Sequence, residues 1–235
     1  MKARFLWILL IVFCLCVFAL TGCRKNKTSE EPAAPAAEQA AGGWTVSTEA
    51  AAPVIPDSAK EAFDAAVSEQ TDAGYEPLAF LGSQVVAGSN YGFLCRKAGS
   101  EAGLCTVKVY RDLEGNASIT EVKDFVISEF VNAGDVDFRP ENLAGGWHLD
   151  PESGAAALPE EVQTAFDKAM SGMTGVSYQP LAYLGSQVVA GRNFAVLCNA
   201  GSVTAEPQSA LAVVVIYADL SGGAELTSVS GFAFP

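Results

Sequence analysis

With 235 residues, half of them apolar and 17% charged, the chain is long enough for one or two cored domains. Its formal net charge of −13 excludes nucleic acid as a partner, because phosphate binding needs clustered Lys and Arg. A single histidine, His148, leaves little for His-based catalysis or a His/Cys metal cluster. No phosphate or dinucleotide loop is written either, so neither an enzyme nor a cofactor is expected.

The first segment reads as an export signal rather than as fold. Lys2 and Arg4 precede the apolar run FLWILLIVFCLCVFAL, and LTGC closes it at Cys23. Residues 1–22 therefore read as a signal peptide, the other reading being an uncleaved apolar anchor, since the run is only a little short of a spanning helix. LTGC resembles the lipobox of bacterial lipoproteins. That resemblance implies cleavage before Cys23, a diacylglyceryl group on its sulfur, and an extracytoplasmic location anchored to the cell membrane by lipid. Residues 23–41 contain RKNKTSEEPAAPAAEQA, which has no apolar period and reads as a tether. Such a chain spans roughly 25 Å r.m.s..

The rest of the chain is one unit written twice. An offset of 103 residues relates Trp44 to Trp147, Phe63 to Phe166, Gln84 to Gln187 and Cys95 to Cys198. Past a longer loop in the second copy the offset is 107, relating Tyr110 to Tyr217. We expect two tandem domains, over 42–130 and 145–235, joined by a linker at 131–144.

Each copy opens with GGW, at Gly42-Gly43 and at Gly145-Gly146, and a helix comes after it. In the first copy Ser58 and Glu61 have capping-box spacing, and Ala59, Ala62, Phe63, Ala66 and Val67 form one apolar face. In the second, Pro159 leads into the face Val162, Ala165, Phe166, Ala169 and Met170. β-rich runs split by Gly and Asn turns come next, as about four antiparallel strands per copy. A helix with one apolar face needs a sheet to cover it. The expected class is therefore α+β, with one helix packed on a four- to five-stranded antiparallel sheet in each of two domains.

Cys95 and Cys105 flank a short turn. Pairing them across the hairpin sets Phe93 opposite Val107 and Tyr91 opposite Val109, one apolar set on one face. In that register a Cys95–Cys105 disulfide is expected. Ala212 stands where the partner of Cys198 would be, so Cys198 is expected as a buried thiol.

The most specific string is LGSQVVAGSNYGFLC from Leu81, repeated as LGSQVVAGRNFAVLC from Leu184. A helix, a strand, then Q-V-V-A-G at a hairpin and N-aromatic after it resembles the cystatins, and especially the stefins, which inhibit papain-like cysteine proteases. The family motif Q-x-V-x-G is matched by Gln84, Val86 and Gly88, and by Gln187, Val189 and Gly191. The family also uses a glycine before the helix, here Gly42/Gly43 and Gly145/Gly146. Its second hairpin maps to the turns at Leu113 and Leu220. Secreted members carry Pro-Trp there, and neither copy does.

The resemblance implies two cystatin-like domains whose tips block a protease cleft, with Val85, Ala87, Val188 and Ala190 as further contact residues. A tip without charge enters a cleft with little desolvation cost. Two other readings stand beside it. The chain could be a non-inhibitory surface binding or adhesion module. QVVAG could also be only a tight turn over a buried Val pair, repeated by recent duplication.

Overall fold

The structure is a computed structural model that describes residues 43–46, 54–68, 74–97, 103–131, 146–149, 153–154, 157–203 and 209–234. The signal and tether readings at 1–41, the lipid site Cys23, the first glycines Gly42 and Gly145, and linker residues 132–144 lie outside them. Residues 39–235 form one compact unit.

The first copy runs β1 (Trp44–Thr45), α1 (Asp57–Ser68), β2 (Tyr75–Val86), β3 (Gly88–Lys97), β4 (Leu104–Arg111) and β5 (Ala117–Asp124). The second runs β6 (Trp147–His148), α2 (Glu160–Met170), β7 (Val176–Val189), β8 (Gly191–Ser202), β9 (Ser209–Ala218) and β10 (Ala224–Phe232). Each copy forms a five-stranded antiparallel sheet in chain order, β1 to β5 and β6 to β10.

Both helices start behind a proline. The amide of Lys60 donates to the Pro56 carbonyl, and that of Gln163 to Pro159. Ser58 therefore lies inside the first turn of α1 rather than at its cap, and Asp57 supplies the acidic charge that favours a helix N-terminus. The apolar face of α1, Ala59, Ala62, Phe63 and Ala66, is buried against Phe93, Cys95, Cys105, Val107 and Val109. Phe63 meets Phe93 edge-on at 4.9 Å. Replacing Phe63 with alanine would remove about 3–5 kcal/mol and loosen the helix from its sheet. The same layer in the second copy joins Val162, Ala165 and Phe166 to Tyr183, Phe194, Val196 and Ile216.

The α+β expectation of two helix-on-sheet domains fails here. Among the described residues the chain is mostly β, two five-stranded antiparallel sheets with two helices. The physical reason is that each sheet is apolar on both faces. The face away from the helix carries Ala79, Leu81, Leu94 and Leu104 in the first copy. Ala182, Leu184, Leu197, Val213 and Val215 occupy the same face in the second, and all nine belong to one cluster. Neither helix covers that face, so the sheets cover each other. A sandwich of two aligned sheets is the ordinary way to bury two such surfaces. The sequence signal is LAVVVI in β9, where an unbroken apolar run replaces alternation and so reports a strand buried on both sides.

The hairpin register is the expected one, with Cys95 opposite Cys105, Phe93 opposite Val107 and Tyr91 opposite Val109. The expected disulfide is not formed, and Cys95, Cys105 and Cys198 are free and buried. Burial pushes the Cys105 thiol up to about 11, with Asp124 adding to the shift. Burial also raises Cys95 and Cys198 well above the usual thiol range.

Candidate functional site

The repeated string folds as the β2–β3 hairpin and again as β7–β8. Gln84 sits opposite Asn90, and Asn90 Nδ2 donates to Gln84 Oε1 at 2.7 Å. Asn193 Nδ2 does the same to Gln187 Oε1, also at 2.7 Å. The motif glutamine and the asparagine after the tip are thus a cross-strand brace one pair below the tip residues.

Gly88 and Gly191 have φ of +117° and +124°. A Cβ on either would run into a backbone carbonyl of the next strand, at Arg111 or Ala218. The glycines are buried rather than presented at the surface. Above each lies a tyrosine. Tyr110 donates its hydroxyl to the Ala87 carbonyl at 2.5 Å, and Tyr217 to the Ala190 carbonyl at 2.5 Å. Sequence reasoning used Tyr110 and Tyr217 only to set the repeat register. Their persistence across the change of offset from 103 to 107 was the available signal.

Between brace and glycine the tip turns its side chains outward. Val85 and Val86 are each 42% exposed, Val188 and Val189 are 50% and 41%, and Ala87 and Ala190 are exposed. The buried Val pair of the tight-turn reading is therefore not found.

The second turn lies at the same end of each sheet, because Arg111 at the end of β4 pairs with Ser89 beside the tip, and Ala218 with Arg192. An aspartate holds each turn. Asp112 accepts from the amide of Asn116 through Oδ1 and from its Nδ2 through Oδ2, both at 2.8 Å. Asp219 accepts through Oδ1 from the amide and hydroxyl of Ser221, both at 2.7 Å, and from the amide of Gly223 at 2.9 Å. These bonds hold both carboxyls below the usual carboxylate range, the side-chain bond from Asn116 or Ser221 contributing most. Each turn leaves one leucine in solvent, Leu113 at 80% exposure and Leu220 at 89%.

The third part is the short N-terminal strand. β1 pairs with β2 as Trp44 opposite Gln84 and Thr45 opposite Ser83. β6 repeats this with Trp147 opposite Gln187 and His148 opposite Ser186. In an antiparallel pair, the residue before Trp44 then lies on the tip side of Gln84, which places the exposed Gly43 beside the tip. Gly146 takes the equivalent place and is half-buried. The approach of β1 needs a second glycine. A Cβ at Gly82 would lie 2.6 Å from the Thr45 carbonyl oxygen.

Charge stays on the flanks. Arg111 meets Glu61 of α1 at 3.5 Å, and Arg192 meets Glu161 of α2 at 2.8 Å. Arg192 also lies over the Phe194 ring and donates to the Ser186 hydroxyl at 3.1 Å. The tips carry no ionisable group. The tip edge at one end of each sheet is thus uncharged, two valines and an alanine, while the exposed leucine beside it belongs to a turn that carries an ionised aspartate. Such an edge can fill a narrow apolar cleft without stripping water from a charge. No family model matches this chain, and no curated protein matches it.

Proposed function

We propose that the chain inhibits papain-like cysteine proteases by placing these edges in the active-site cleft. The observation that carries the reading is the braced tip. Val85, Val86 and Ala87 are held outward by the Gln84–Asn90 bond below and the Tyr110–Ala87 bond beside them, with Leu113 and Gly43 at the same end. A solvent-exposed apolar tip that is rigid before binding loses little conformational entropy when it docks. The motif likeness to the cystatins supports the choice of target class. Gly43 and Gly146 would let the N-terminal segment lie flat along the cleft, since a residue without a side chain permits close backbone approach.

A lipid on Cys23, as LTGC implies, would hold the inhibitor at the outer face of a membrane. The target would then be met outside the cell.

A second reading is favoured by one observation. Gln84 and Gly88 both have internal partners, so the motif letters could persist for the hairpin alone. The chain would then be a surface binding module with no protease target. Titrating papain with the chain, with hydrolysis of a small peptide substrate as readout, separates the two. Inhibition that is competitive with substrate is expected. Full activity at micromolar chain, with the fold intact by circular dichroism, would leave the binding-module reading.

A further inference from the structure

The two edges belong to one compact unit whose sheets share a core cluster, and the aromatic contacts fix their directions. In the first sheet the far end, away from the tip, is where β5 stops at Asp124 and Phe125 comes next. In the second sheet the far end is where β10 stops at Phe232. The rings of Phe125 and Phe232 are 5.4 Å apart, so the far ends meet.

Beyond that meeting point each chain segment runs onto the other sheet, towards the other tip. Ile127 packs against Gly185, which neighbours the Ser186 that pairs with β6. Phe234 meets Trp44 edge-on at 4.8 Å and covers Gly92, whose partner Gly82 is two residues from Gln84. Had the tips pointed the same way, a segment leaving one far end would have passed beyond the other sheet as well. It reaches the tip half instead. The strands of the two sheets therefore run in opposed directions, and the tips stand at opposite poles.

From the Phe125–Phe232 contact each tip is about ten residues away along its strands, roughly 30 Å, which puts the poles on the order of 50 Å apart. From this geometry we infer that one chain holds two papain-like proteases at once, one on each pole, without contact between them. The inference rests on the proposed inhibitory reading. It goes beyond it because a second domain on a flexible linker, or beside the first, would give no such separation.

The test is native mass spectrometry of the chain with excess catalytically blocked papain. Three forms are compared: the natural chain, Val85→Asp with Val86→Asp, and Val188→Asp with Val189→Asp. All four positions are exposed, so the fold should survive. The natural chain should saturate at two papain molecules and each variant at one. Saturation of the natural chain at one papain would overturn the bipolar inference while leaving inhibition standing. Absence of any complex would overturn the inhibitory reading and this one with it.

Discussion

Phe234→Ala tests how the last described residues of the chain hold the first edge in place. The Phe234 ring fills the space over Gly92, where a Cβ would lie 2.6 Å from it, and packs edge-on against Trp44 at 4.8 Å. A fully buried Phe→Ala change costs about 3–5 kcal/mol. Phe234 is only half-buried, which brings the burial loss to about 2 kcal/mol, and the lost aromatic pair adds about 0.5–1.5 kcal/mol. β1 has two residues, so it has little of its own to resist that loss. Urea unfolding should show a global loss of about 2.5–3.5 kcal/mol. Amide hydrogen exchange should show Trp44 and Thr45 opening in the native state, while Trp147 and His148 keep their protection. Papain binding at the first pole should weaken and the second pole should be unaffected. Unchanged protection at Trp44 and Thr45 would refute the claim that the second copy's tail braces the first copy's edge.

Other outcomes rest on single contacts. Gly88→Ala should destabilise by about 1–3 kcal/mol in thermal or urea unfolding, because it combines φ of +117° with a clash at the Arg111 carbonyl. A neutral result there would mean that the tip has another conformation. Thiol-specific labelling of the native protein at pH 8 should leave Cys95, Cys105 and Cys198 unmodified, and denaturant should release all three. A Cys95–Cys105 link in peptide mass mapping would contradict the free, buried pair. The turn aspartates set an acid limit. Their folded carboxyls titrate below the usual range, so their stabilisation is present above the unfolded value of about 3.9 and is lost as pH falls through the lower folded one. NMR of the Asn116 and Gly223 amides should therefore show the turns intact at pH 5 and loosening below pH ~4. Loss already at pH 6 would rule the aspartates out as the cause. Cys23→Ala should abolish fatty-acid labelling in cells, and equal labelling of both forms would refute lipid attachment at Cys23.

Local structure was legible in the sequence to the extent that short-range chemistry dictates it. The helix faces built on Phe63 and Phe166, the register that sets Phe93 opposite Val107, and the glycine turns all come from spacing. The second apolar face did not emerge, because reading β3 and β4 for one buried face leaves Leu94 and Leu104 unassigned. Only Leu181–Leu184 and LAVVVI in the other copy show what covers them, and that is a contact between residues about a hundred positions apart. The same distance hid the Trp44–Phe234 pair. Within the site, Q-x-V-x-G marked the tip, but the brace to Asn90 and the tyrosine over Ala87 depend on strand neighbours that a motif does not encode. Gly88 shows the limit most clearly. It reads as a surface contact in the sequence, yet its neighbours Arg111 and Tyr110 make it a buried packing residue.

The central claim is that exposed tip valines, and not the motif as a whole, contact the target. The most direct measurement is the papain inhibition constant of a chain carrying Val86→Asp and Val189→Asp, beside the natural chain. An unpaired carboxylate forced into an apolar cleft costs several kcal/mol, about 3 or more. That cost should raise the inhibition constant at least a hundredfold. Urea unfolding should stay within about 0.5 kcal/mol of the natural chain, because both positions are solvent-exposed. Equal inhibition by the two proteins, with equal stability, would contradict the claim that the tips are the contact surface.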